Sequence, residues 1–115
     1  MFDFENLNVY QKSRDIRKKI FTLLSDRSKA DRFLVDQLKR AVISIILNIA
    51  EGTGKSSKAD RRNFFVVARA SVYEVVAVTD LLFDDGIISK EIKDDLYIDL
   101  ETISKMLLGL INSLK

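Results

Sequence analysis

The chain has 115 residues with no cysteine, no histidine, no proline and only four glycines, so disulfides, thiolate nucleophiles, imidazole bases and the usual zinc sites are excluded together. A composition that is 47% hydrophobic and 31% charged without proline describes long uninterrupted helices around one core, which makes residues 1–115 a single domain and not a disordered segment. Net charge is only +2 but unevenly placed. Residues 1–69 hold 15 Lys/Arg against 8 Asp/Glu, and residues 70–115 hold 4 against 9. Such a split either presents a basic face to an anionic partner or lets the two halves attract each other, within and between subunits.

Met1-Phe2-Asp3-Phe4-Glu5 is acidic where a secretory signal needs a basic segment, and no apolar run approaches the roughly 20 residues that cross a bilayer. A cytoplasmic protein without membrane contact is expected. Val9, Ile16, Ile20 and Leu23/Leu24 then recur at helical spacing and predict a first helix over 8–26, capped by Asn6 or Asn8. Its outer face is basic, with Lys12, Arg14, Arg17, Lys18 and Lys19, and the polar run Ser25-Asp26-Arg27-Ser28-Lys29 ends it.

A second helix is predicted from about Asp31 to Gly52, with Leu34, Leu38, Ala41, Val42, Ile45 and Ile49 on one stripe and Gly52 as a natural stop. Between Ala41 and Ala50 only Ser44 and Asn48 are polar, so Ile43, Ile46 and Leu47 cannot all share the core with Ile45 and Ile49. These three are the expected oligomer interface. Ser57, with Asp60 three residues on, reads as a capping box for a third helix running to Asp85-Gly86, which would extend about 43 Å and needs an equally long neighbour. The β-branched run Val75-Val76-Ala77-Val78 competes as a strand but lies inside the helical period with no turn before it. Ser89 caps a fourth helix with the stripe Ile92, Leu96, Leu100, Ile103, Leu107, Leu110, Ile111 and Leu114. Four helices joined by short connections predict an all-α, up-down-up-down antiparallel four-helix bundle.

Catalytic motifs fail on inspection. Gly54-Lys55-Ser56 resembles the end of a phosphate-binding loop, but Ile49 stands where the first glycine belongs and a helix stands where a strand is needed. The di-metal sites of bundles use Glu-x-x-His pairs, which a chain without histidine lacks, and a site built from Glu51 and Glu74 sits among cations that favour ion pairing. No catalytic residue, metal, cofactor or small-molecule substrate is therefore predicted. Gln37, Arg40, Ser44, Asn48 and Glu51 form one polar stripe on an otherwise apolar helix 2. Antiparallel pairing about the 53–57 turn brings Arg40 near Glu74 and Ser44 near Ser71, predicting an Arg40–Glu74 ion pair and a structural hydrogen-bond network. In the turn from Gly52 to Arg62, the cations Lys55, Lys58, Arg61 and Arg62 crowd a helix start, where the macrodipole disfavours them and a phosphate would relieve them. No aromatic residue in the turn is placed to stack on a base.

Three strings, Phe4-x-x-Leu7-x-Val9-Tyr10-Gln11-Lys12, Gln37-x-x-Arg40-Ala41-x-x-Ser44-Ile45-x-x-Asn48-Ile49-Ala50-Glu51-Gly52 and Ala68-Arg69-Ala70-Ser71-x-x-Glu74, together resemble the bacterial four-helix bundle family of 23S rRNA intervening-sequence proteins. The resemblance spans nearly the whole chain, and its second string is the specific one. It implies a ring of five identical subunits with no associated reaction; distant relatives of the same shape that accompany reverse transcriptases are thought to engage RNA. Family members often carry proline where Ile46 stands, tryptophan where Tyr10 stands and glycine where Ala70 stands. The first departure should leave helix 2 straight, and the last should hold helix 3 slightly farther from its neighbour. Two functions follow as expectations. One is an RNA-associated homo-oligomer, a pentamer by the resemblance, touching phosphates through Lys12, Lys18, Lys55, Lys58, Arg61 and Arg62. The alternative is a protein-interaction scaffold that never meets nucleic acid.

Overall fold

The computed structural model describes residues 1–25 and 30–115. Four helices account for most of them: α1 (Asn8–Ser25), α2 (Arg32–Thr53), α3 (Lys58–Asp84) and α4 (Lys90–Ser113). Residues 26–29 of the polar run expected to end the first helix lie outside the described residues. Each helix packs on its sequence neighbours and α1 also packs on α4, while the diagonal pairs stay apart. That is the up-down-up-down bundle, 45 × 24 × 21 Å in extent.

Local chemistry sets the ends. Asp31 accepts from the N–H groups of Phe33 (2.7 Å) and Leu34 (3.4 Å), Ser57 from that of Asp60 (3.1 Å) and Ser89 from that of Ile92 (3.2 Å), each hydroxyl or carboxylate satisfying donors that the first turn leaves free. After α3 the chain reverses at Gly86, whose φ of +74° is open to glycine without cost. Here the Ile87 N–H reaches Leu82 O (2.9 Å) and the Gly86 N–H reaches Phe83 O (3.0 Å), a Schellman closure.

Two helix ends differ from expectation. At the start, Asp3–Asn6 forms a turn of 3-10 helix and Leu7 is extended, its carbonyl accepting from the N–H groups of Tyr10 (3.1 Å) and Gln11 (3.2 Å). Neither Asn6 nor Asn8 makes a side-chain cap bond among the described residues. The aromatic cluster Phe2–Phe4–Tyr10, with ring centroids 5.9 and 4.8 Å apart, folds this segment back against α1, and the Leu7 carbonyl closes the first turn without a polar side-chain cap. At the other end of the pair, α2 runs through Gly52 to Thr53, and Gly54 takes the cap position. Gly52 is a contact residue, not a stop: a Cβ there would lie 2.9 Å from Phe65 Cε1 and 3.0 Å from Phe64 Cβ, so its bare Cα is what lets α3 come close. Ala70, expected to hold α3 away from its neighbour, is exposed and does not set that distance. Helix α2 continues without a break through Ile46.

The core is contiguous and drawn from all four helices, with Ile16, Ile20, Ile45, Ile49, Leu82, Leu100, Ile103 and Leu107 fully inside. Each such side chain contributes about 1.5–3 kcal/mol relative to exposure, as an upper bound against an extended unfolded chain. Its rigidity fixes which side chains are left to face outward.

Candidate functional site

The antiparallel order puts the start of α1, the α2–α3 turn and the end of α4 at one end of the bundle. There Arg62 donates through Nη1 to Leu114 O (3.1 Å), tying the start of α3 to the last turn of α4. Arg61 folds back so that its Nε donates to Lys55 O (2.6 Å), and the Lys55 ammonium stands 5.0 Å from the Phe64 ring centroid. Lys58 is exposed and makes no ion pair among the described residues. Four cations therefore surround the first turn of α3, two of them anchored to backbone carbonyls and still carrying further N–H groups.

Lys12 and Lys18 do not complete this set. The Lys12 ammonium lies 3.5 Å from the Asp99 carboxylate on α4. Lys18 is exposed on α1, about 15 Å along the helix from its first residue. Next to it, Lys19 reaches Asp99 (2.8 Å) and Asp95 (3.0 Å). Hydrogen bonds to Asp99 and Asp95 raise the Lys19 pKa, and the hydrogen bond from Lys19, opposed by partial burial, lowers that of Asp99. Part of the charge excess of the first half is thus neutralised by the acidic α4 of the same chain.

In the α2–α3 seam, Ser44 and Ser71 share a hydrogen bond (Oγ–Oγ 2.8 Å), and Asn48 donates through Nδ2 to Ser44 O (2.8 Å) and Ser44 Oγ (3.1 Å). Gln37, about 10 Å earlier along α2, is half-buried without a side-chain bond among the described residues. The expected Arg40–Glu74 ion pair is absent. Both side chains are exposed, so no desolvation penalty forces them together, and an exposed pair gains little. Glu51 is exposed near the basic end, about 15 Å along the seam from Glu74, so the two carboxylates do not converge.

The three apolar residues expected at an interface part company. Ile46 is only 9% exposed, because the 100° step of the helix carries it to a side the chain itself covers. Ile43 (38% exposed) and Leu47 (52%) remain outside. Sequence reading missed the matching face of α3: Val66, Val67, Tyr73 and Leu81 are exposed, with the small Ala70 and Ala77 between them. The signal was available, since 66, 70, 73, 77 and 81 follow helical spacing. Between α3 and α4 lies a groove of about 310 Å³ with Val72, Val76, Ala77 and Leu100 along it and Tyr73, Tyr97, Asp80 and Glu101 among its other walls. No helix among the described residues is long and apolar enough to cross a membrane.

Arrangement and surface together define a small helical bundle with one basic end and an outer α2–α3 face left partly apolar. The chain belongs to the 23S rRNA-intervening sequence protein family, whose model matches residues 5–109. It is similar to a crystallised protein of unknown function from the S23 ribosomal protein family of Bacteroides thetaiotaomicron, at 26% identity over 90% of this chain and 97% of that one, with a TM-score of 0.82. No curated protein matches it.

Proposed function

We propose that this chain is a non-catalytic, cytoplasmic bundle that assembles with copies of itself and associates with RNA through the phosphate backbone. The observation that carries the reading is the basic end, where Lys55, Lys58, Arg61 and Arg62 gather at the start of α3 and outnumber Asp60, the acid of its first turn. Ammonium and guanidinium groups beside free backbone N–H donors suit phosphate oxygens, and nothing in this cluster reads base edges. The family is named for the 23S rRNA intervening sequence, which makes RNA the polyanion to test first. Self-association is supported by the exposed Ile43 and Leu47, which water solvates poorly; the family resemblance adds a ring of five.

Anisotropy with a fluorescent structured RNA tests the reading. Affinity should fall steeply between about 50 and 200 mM salt. The double variant Lys55→Glu/Lys58→Glu should bind more weakly, flatten the slope of log affinity against log salt by about 1 for each phosphate no longer neutralised, and keep its oligomeric mass. These two lysines are preferable to Arg61 and Arg62, whose bonds to Lys55 O and Leu114 O hold the turn itself. Binding indifferent to salt, or none at low salt, refutes RNA association. Protein partners that survive nuclease treatment in a pull-down would instead establish a scaffold.

A further inference from the structure

Two surface features that make no use of each other within one chain share a level along the bundle. The first is a ridge on α2, Ile43 and Leu47, flanked by the exposed cations Lys39 and Arg40, with the exposed carboxylates Asp36 and Glu51 toward its two ends. Neither cation makes an ion pair among the described residues; Lys39 only approaches the Phe21 ring, at 5.5 Å. The second is the α3–α4 groove, apolar along Val72, Val76, Ala77 and Leu100, with Asp80 and Glu101 as its carboxylates.

Register follows from bonds between the helices. The Ser44–Ser71 bond aligns α2 with α3, so Val72 and Asp80 stand level with positions about 43 and about 35 of α2. On the other side, the Arg69–Ser104 bond and the Lys93–Asp80 pair (3.5 Å) align α3 with α4, which sets Tyr97 and Glu101 at that same level. Ridge and groove therefore meet when two copies lie side by side with parallel bundle axes.

We propose that the occupant of the α3–α4 groove is the Ile43/Leu47 ridge of a second copy of this chain, with Lys39 and Arg40 of that copy reaching Asp80 and Glu101. This rests on the self-association reading above and names the surfaces it uses. Charge complementarity favours a second copy: Lys39 and Arg40, the cations nearest the apolar knobs, stand close to the level of the groove's Asp80 and Glu101, while Asp36 and Glu51 lie toward the ends of the ridge. The cations already near the groove do not block it. Lys93, half-buried over the Phe83 ring, pairs with Asp80 at 3.5 Å, and Lys105 with Glu101 at 3.6 Å in an exposed contact; both are single, salt-sensitive pairs that a new partner can exchange, and Arg69 is turned toward Tyr73 Oη and Ser104 O. The exposed Tyr73 at the groove mouth, an amphipathic side chain, extends the contact. Because ridge and groove occupy different faces, every copy uses both, and the contact is heterologous, adding copies head to tail instead of stopping at a two-fold dimer.

Light-scattering mass of the purified full chain, with far-ultraviolet circular dichroism to verify folding, tests this. Wild type should exceed the 13.1 kDa monomer mass several-fold. Arg40→Glu and Glu101→Lys, each at an exposed position, should each shift the mass toward 13.1 kDa with helicity retained, and the double variant Arg40→Glu/Glu101→Lys should restore it. A monomeric wild type overturns the self-association reading itself. An oligomeric wild type whose mass neither single variant lowers overturns only the surfaces named. Rescue of Arg40→Glu by Glu51→Arg in place of Glu101→Lys overturns them too, since it places the partner's α2 on the ridge.

Discussion

The α1–α4 face and the α2–α3 face solve the same packing problem in opposite ways. On the first, charge is consumed internally: Lys12 and Lys19 of α1 hold Asp95 and Asp99 of α4 over a core of large side chains such as Ile20, Leu100 and Ile103. On the second, small residues do the work. Gly52 lies against Phe65, and Ala68, Ser44 and Ser71 let α2 and α3 share the most extensive interface of the bundle. The closer helices leave their outward charges Arg40 and Glu74 unpaired among the described residues, and Ile43, Leu47, Val66 and Val67 in solvent. Charge that looks available for a partner in the sequence is partly used up inside the chain, whereas the surface that awaits a partner is mostly apolar.

The largest expected effect is common to both faces. Ile20→Ala on α1 and Ile45→Ala on α2, both wholly buried, should each cost about 2–5 kcal/mol in urea unfolding, because each opens a cavity in the shared core. A much smaller loss at Ile20 would mean that the α1–α4 side is the looser packing. Next comes Gly52→Ala, expected to cost about 1–3 kcal/mol through the clash with the buried Phe65 ring. Its control is Gly109→Ala on α4, where a Cβ meets nothing within 4 Å, and a gain of about 0.5–1 kcal/mol in helix propensity should be measured. Equal responses at the two glycines would erase the claim that close approach belongs to the α2–α3 seam.

Ser44→Ala should cost about 0.5–1.5 kcal/mol, and a double-mutant cycle with Ser71→Ala should show coupling, since the half-buried hydroxyls and Asn48 satisfy one another. The smallest effect lies on the α1–α4 face. Asp99, its pKa held down by Lys19, adds stability that is present above the unfolded carboxylate pKa and is lost as pH falls through the lower folded value. Lys19, its pKa raised, adds stability present below the unfolded lysine pKa and lost as pH rises through the higher folded one. Between those limits Asp99→Asn should cost about 0.2–1 kcal/mol, an exposed pair being screened, and should flatten the acid limb of thermal stability against pH.

Legibility in the sequence tracked the range of the forces involved. Periodicity, Asp31, Ser57, Ser89 and Asp85-Gly86 placed three helix starts and the end of α3 where they occur, because caps and turns act over three or four residues. Register about a short turn also placed Ser44 beside Ser71. Misreadings arose where a residue's role depended on a distant neighbour. Gly52 reads as a stop until Phe65 is seen against it. Ile46 reads as exposed until the chain is seen to cover it, and the aromatic turn at Phe2–Phe4–Tyr10 looks like a plain lead-in.

By itself, then, the sequence determined the helices, their order and the antiparallel bundle, since hydrophobic spacing and short connections permit little else. Tertiary structure decided which charges are free and which of the surplus apolar side chains on α2 stay uncovered. Lys12 met Asp99, Arg40 met no carboxylate among the described residues, Ile46 was covered while Ile43 and Leu47 stayed out, and the Tyr73 and Tyr97 groove formed between α3 and α4. Pairing and exposure depend on angles and distances between elements, which no single stretch of sequence contains.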